Sequence, residues 1–281
     1  MRPDCPSVLI RRTHSDWMAS VVGKQAVFTS VHLSQIMRDY MHIVPLGILP
    51  LAAGAVLEEL CMSGYFGAGP PGTRAWQRVL HLQLKVAYSA FKVWARGKSI
   101  DESVRRFTCK RLSKKKLLDT PTIKCKARDC VHIADWLHSI VSALPRADRH
   151  AKWRYCCLWS HCELWTLLKT EGQLMSIVAT LRMMKLGKVL LLTSGALARE
   201  SIELGNRRWH ILPKHHEFLE MLLAATRTRL NPSYHWAFAD EDYVGMIAKL
   251  GKVCHARTMT VSVLRRYSIR YRLHLYRETL V

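Results

Sequence analysis

Apolar residues return at three- and four-residue steps over most of this chain, the period of a helix that turns one face to a core. Trp76, Val79, Leu80, Leu84, Ala87, Tyr88, Phe91 and Trp94 predict a helix over residues 73–95, with Thr73 as its cap and Gly97 as its stop. Ile133, Trp136, Leu137, Ile140 and Val141 predict another over 130–144, ending before Pro145. A long helix is expected over 151–168, then an apolar helical run from Leu174 past Leu191. Gly187 and Gly195 are placed to split that run, and residues 189–193 also suit a short buried strand. Pro213 opens a helix over 215–230 that Asn231-Pro232 closes, and a further helix is expected over 241–250. The last segment fits two periods. Tyr267, Ile269, Tyr271, Leu273 and Leu275 alternate with polar neighbours as in a strand, while Val261, Leu264 and Ser268 suit a helix, which is the reading adopted.

Together these elements predict a mainly α, multi-helical globular bundle with room for one or two short strands. Residues 43–57, IVPLGILPLAAGAVL, are fifteen without a charge. A bilayer span needs about 20 apolar residues, so this run, interrupted by Pro45 and Pro50, reads as a buried helix entered through a proline-rich turn. No membrane association is expected. The Gly/Pro-rich stretch 64–72 is the strongest loop signal and predicts a division there, with an N-terminal helical segment, 1–72, and a main helical domain, 73–281. Within the main domain, residues 101–128 read as a basic connection between two helical lobes, with Asp119 alone among ten Lys and Arg from Arg105 to Arg128 and Pro121 breaking any long helix. The motif from Pro213 to Gly245 is expected to form a helical hairpin that buries Trp236 and Phe238 against Phe218, Leu222 and Ile247.

Charge changes the picture more than length does. Forty-three Lys and Arg against 21 Asp and Glu leave +22 at pH 7, while 49% hydrophobic residues are enough for a real core. A folded surface with that surplus repels itself unless anions bind it, so the expected partner is a polyanion, DNA or RNA. The nine cysteines are an odd number in a chain too large to need disulfides. Residues 1–20, with Pro3, Pro6, Arg11, Arg12 and Asp16, do not read as a secretory leader. An intracellular setting, nuclear or cytoplasmic, follows as the expectation.

Two basic groups are candidates for phosphate contact. Arg265, Arg266, Arg270 and Arg272 are interleaved with Tyr267 and Tyr271, a combination in which cations neutralise phosphates and aromatic faces stack on bases. Lys114, Lys115 and Lys116 form a second, weaker patch. Against these stands the plain alternative of a solvated charged face. For catalysis the candidates are Asp240, Glu241 and Asp242, the densest acidic point in the chain, with His216 as a possible base. Bunched carboxylates hold Mg²⁺ for phosphoryl transfer, but the same residues suit a helix start, Asp240 as the cap and its neighbours facing the positive end of the dipole. Capping is the favoured reading. Cys157 and His161, at i and i+4, are weak candidates for Zn²⁺, since their surroundings match no finger spacing and look equally like a core face. A glycine-rich phosphate loop, nucleophile elbow or zincin motif is not found, which argues against an enzyme.

Residues 212–219 (LPKHHEFL), 231–245 (NPSYHWAFADEDYVG) and His255, Thr258 and 264–267 (LRRY) resemble an uncharacterised family abundant in dinoflagellate genomes, and 124–137 fits it too. More weakly, Pro213, Lys214, His216, Trp236, Phe238, Glu241 and Gly245 resemble the C-terminal part of eukaryotic DNA transposases. That resemblance implies a mobile-element or viral origin, and upstream carboxylates of the kind such a nuclease needs are not found. The reading is a basic nucleic-acid-binding protein without catalysis or cofactor of its own. The alternatives are a Mg²⁺-dependent phosphoryl-transfer enzyme or fragment, and a helical scaffold for other proteins.

Overall fold

The computed structural model describes residues 38–67 and 76–278, excepting the side chains of 239–242, 270–271 and 273–278. The chain divides into two compact units, Met1–Asp39 and Tyr40–Val281. The second is mainly α. Its helices are α1 (Tyr40–Met62), α2 (Trp76–Gly97), α3 (Ala127–Ala143), α4 (Arg149–Thr170), α5 (Ile177–Glu203), α6 (Pro213–Thr228), α7 (Phe238–Gly251) and α8 (Met259–Glu278). Among the described residues the β-type pairing is one isolated bridge, Leu174 to Leu230.

α1 is the centre. Every residue from Leu49 to Cys61 is buried, and α2, α3, α4 and α6 pack around it. A helix apolar on all sides has no face to give to water, so it becomes the interior of the bundle. It is long and apolar enough to cross a membrane, and 83% of its most apolar window is buried inside the fold. The prolines do not precede the helix, as expected, but sit within it. A π-helical turn, Val44–Ile48, accommodates them: the Leu49 amide donates five residues back to the Val44 carbonyl, and Pro50, with no amide to place, follows. The second unit begins at Tyr40, and α1 lies on the N-terminal side of the Gly/Pro stretch.

The amphipathic helices close on α1 as their periods predict. α2 buries Leu80, Leu84, Ala87, Phe91 and Ala95 in 3–4 steps. α4 starts at Asp148, whose side chain accepts the Ala151 amide at 2.7 Å, and α5 at Ser176, which accepts the Ala179 amide at 3.0 Å. α5 is one unbroken helix through both of its glycines, with residues 189–193 helical rather than a strand. Gly187 serves contact instead: a Cβ there would lie 2.3 Å from Leu222 Cδ1 on α6. Asn231, fully buried, joins the ends. Its Nδ2 donates to the carbonyls of Leu168 (2.9 Å) and Glu171 (3.0 Å) at the exit of α4, and its Oδ1 accepts the Ser233 amide at 3.0 Å.

The hairpin expected from Pro213 to Gly245 is not formed. α7 packs on α8, and Trp236 reaches back to α4 and α1: its ring stacks on Trp165 with centroids 5.1 Å apart and lies 6.4 Å from Tyr40. Phe238 meets Trp165 and Trp236 edge-on at 5.8 and 5.2 Å. Asn231-Pro232 and the short 3-10 turn Pro232–His235 redirect the chain before α7 can fold back along α6. The terminal segment is helical.

Candidate nucleic-acid interface

Residues 101–126 contain no long helix, yet they are built into the body. Val104, Phe107, Leu112 and Ile123 are buried among the basic residues, and Phe107 packs on Phe91 and Trp136 at 5.6 and 6.0 Å. One helical turn forms where the Leu112 amide donates to the Thr108 carbonyl (2.9 Å), and Ser113, at φ 60, closes it in the left-handed region. The chain then returns alongside. Amides of Thr122 and Lys124 donate to the carbonyls of Leu112 (3.0 Å) and Arg111 (2.8 Å), and the Ile123 amide donates to Pro50 of α1 at 3.0 Å. The approach is close enough that a Cβ on Gly54 would sit 2.5 Å from the Pro121 carbonyl oxygen, so glycine is required there.

Between the turn and the returning segment lies a recess of about 340 Å³ lined by Arg106, Thr108, Lys110, Arg111 and Lys124. Four of its five walls are cations, and among the described residues no carboxylate lines it. Arg106, Lys110 and Lys124 are exposed and Arg111 is half-buried. The Arg111 guanidinium donates to the Lys124 carbonyl at 2.9 Å, and the Arg111 amide donates to Thr108 Oγ1 at 3.1 Å. The basic run of 105–128 was legible in the sequence; its folding into a recess was not.

Of the three lysines expected to contact phosphate, Lys115 and Lys116 are exposed and Lys114 is not. That expectation is corrected for Lys114, which is 4% exposed. Its ammonium pairs with Glu58 at 2.8 Å and donates to the carbonyls of Leu117 (2.5 Å) and Asp119 (2.6 Å), satisfying all three protons inside the fold. Glu58 and Glu59, adjacent acids on the apolar helix α1, are the reason. Glu58 also takes Arg208 at 3.1 Å; Glu59 takes His150 (3.0 Å), Arg154 (3.1 Å) and the Trp209 indole (2.7 Å). Burial alone would raise the Glu59 carboxyl, but hydrogen bonds from His150 and Trp209 and the nearby Arg208 hold it below its ordinary value. His150 bridges Glu59 and Glu200, one ring nitrogen to each, and these contacts push it up to about 9 against the opposing effect of burial. Sequence reading passed over this cluster. The available signal was two consecutive acids inside an apolar run, since acids that fold inward have to be paired.

At the C-terminal site, Arg265, Arg266 and Arg272 are exposed on α8, and Tyr267 packs edge-on against Tyr243 of α7 at 5.2 Å. The side chains of Arg270 and Tyr271 lie outside the described residues, as do those of Asp240, Glu241 and Asp242. The backbone of α7 starts at Phe238 with Ala237 at its cap position, which puts Asp240 in the first turn of the helix. His216 is exposed, whereas His215 is buried and accepts the Leu212 amide at 3.0 Å through Nδ1. Cys157 and His161 are fully buried on α4. Cys157 Sγ lies 3.7 Å from Ser194 Oγ, and burial pushes its thiol up to about 11 and His161 down to about 3. No group of three His, Cys, Asp or Glu placed to hold a metal ion occurs among the described residues.

No protein-family model, no curated protein and no solved structure matches this chain.

Proposed function

We propose that this chain is a basic nucleic-acid-binding protein that acts by binding rather than by catalysis. The observation that carries the reading is the recess of Arg106, Lys110, Arg111 and Lys124, a concavity of cations without a lining carboxylate among the described residues. Cations held together in this way repel one another, and an anion relieves that repulsion. The exposed Arg265, Arg266 and Arg272 on α8 add to it. Acids turned inward do not offset this surplus, because Glu58 and Glu59 are matched by Lys114, Arg208, Arg154 and His150 within the cluster. The weaker resemblance of Pro213, Lys214, His216, Trp236, Phe238, Glu241 and Gly245 to transposase C-terminal parts agrees with a mobile-element origin.

The purified chain should bind single-stranded or duplex nucleic acid with a steep salt dependence, because each neutralised phosphate releases condensed counterions. With about five phosphate contacts, the slope of log affinity against log salt is expected at roughly −3.5 to −4.5. Reversing Arg106, Lys110, Arg265 and Arg266 to Glu should flatten that slope and weaken binding by orders of magnitude, with an unchanged circular-dichroism spectrum. Absence of binding to either DNA or RNA at about 50 mM salt by the folded wild type would overturn the reading. It would also bring forward a second one, a protein-binding scaffold. That reading is favoured by the outer row of α5, where Val178, Leu181, Leu192 and Ile202 are 61–77% exposed.

A further inference from the structure

We propose that the recess between Arg106, Lys110, Arg111 and Lys124 is a phosphomonoester site that takes the terminal phosphate of a nucleic-acid strand; this rests on the nucleic-acid reading above. The distinction from ordinary backbone binding lies in how the charge is arranged. A groove that follows a strand spreads its cations along the path of successive phosphates, each carrying one negative charge. Here four cations line a single concavity of about 340 Å³. That is more positive charge than one internal phosphodiester can match. A terminal phosphate carries about −1.5 to −2 charges at pH 7 and three strong acceptor oxygens, so it matches the recess better in both charge and number of contacts.

The walls are suited to that geometry. Arg111 offers a planar fork for paired oxygens, and its orientation is set by the bond to the Lys124 carbonyl at 2.9 Å. Thr108 Oγ1 accepts the Arg111 amide at 3.1 Å, and its own rotatable hydroxyl proton can serve an acceptor in the recess. The Lys124 amide, bonded to the Arg111 carbonyl at 2.8 Å, ties the two sides together. Holding donors in place before the ligand arrives lowers the ordering cost of binding. Arg106, Lys110 and Lys124, exposed at the rim, supply mobile charge around this fixed base. An internal phosphodiester would bring sugars on both sides into a small recess; an end brings one.

The test compares one internally labelled single-stranded oligonucleotide in three forms: 5′-phosphate, 3′-phosphate, and hydroxyl at both ends. Fluorescence anisotropy with the full chain should give roughly tenfold tighter binding to one phosphorylated form than to the hydroxyl form, the scale of added charge-assisted hydrogen bonds. The preference should shrink as pH falls through about 6, where a monoester loses its second charge. Millimolar inorganic phosphate should remove the preference while leaving the hydroxyl form bound. Lys110→Gln with Lys124→Gln should abolish the preference, and Arg106→Gln alone should reduce it; all three positions are exposed, and circular dichroism checks the fold. Equal affinity for all three forms would overturn the end-recognition proposal while leaving nucleic-acid binding intact. A preference that survives both variants would place the end elsewhere and equally overturn it. No binding to any form would remove both readings.

Discussion

Residues 101–126 and α8 carry comparable runs of Lys and Arg, but they are attached to the body in different ways. In the first, Val104, Phe107, Leu112 and Ile123 alternate with the charges and are buried, the Ile123 amide is bonded to α1, and one of the lysines, Lys114, has been drawn inside by Glu58. In α8, Val263 is buried, while Val261, Leu264 and Ile269 are 52–71% exposed, and the helix packs on α7. A run of positive charge therefore does not say whether its members face water. What decides is the apolar spacing between them and the acids that the fold brings near. The first run yields a shaped recess on a rigid frame; the second yields a charged arm joined to the body through Trp236 and Phe238 on Trp165.

The strongest way to break the comparison is at Glu58. Glu58→Ala removes the partner of a lysine that is 4% exposed, leaving a buried ammonium with carbonyl contacts alone. Deleting one member of a buried ion pair costs about 3–5 kcal/mol, since the remaining charge is desolvated and uncompensated. Urea denaturation should show that loss, and the recess should lose its frame with it. Arg265→Glu with Arg266→Glu, a larger change in charge on α8, should leave stability within about 0.5 kcal/mol of wild type, as surface substitutions do. Comparable losses from both would mean that the two basic runs are held alike.

How much of this was legible depends on sequence distance. α2, α3, α4 and α6 repeat a face every three or four residues, so their positions followed from local pattern, within a few residues at each end. The mainly α class followed from the same periods. The acid cluster depends on partners far along the chain, with Arg154 95 residues from Glu59 and Arg208 150 residues from Glu58, and no local period encodes such a pairing. Lys114 was misplaced for that reason, because Lys114, Lys115 and Lys116 are alike in sequence and differ only in what the fold sets beside them. Trp236 was read correctly as a packing residue but given the wrong neighbours. Its stack with Trp165 is a contact with α4, which precedes the expected hairpin altogether.

That stack gives the intermediate effect. Trp236 joins α7 and α8 to the body through offset aromatic contacts with Trp165 and Tyr40. Trp236→Ala removes the half-buried ring and its pairings, which contribute about 0.5–1.5 kcal/mol each beyond area burial. The expected loss is about 2 kcal/mol, taking burial and pairing together. Hydrogen exchange should localise it: amides of α7 and α8 should exchange faster, while those of α1 and of residues 108–124 keep their protection. Uniform loss of protection across the body would show that the arm and the body unfold as one unit, and the contrast between the two basic regions would disappear.

The smallest effect separates the regions by pH. His150 sits on the body side, with Glu59 at 3.0 Å on Nε2 and Glu200 on Nδ1, and Arg154 and Arg208 complete the charges around those acids. Its folded-state value of about 9 lies above the ordinary histidine value of roughly 6.5. The sign follows from proton binding: the folded protein holds the proton more tightly, so this stabilisation is complete below about pH 6.5 and is lost as pH rises through about 9. Because the ring is 28% exposed, solvent screens the interaction, and about 1 kcal/mol is the expected scale. Between pH 7 and pH 10 the wild type should lose that much more stability than His150→Gln, whose uncharged amide does not titrate. The salt slope of nucleic-acid binding by the exposed arginines of α8 should not share this dependence. Parallel stability–pH curves for wild type and His150→Gln would mean that the Glu59–His150–Glu200 bridge is not formed in solution, and the inward capture of charge would then rest on Glu58 and Lys114 alone.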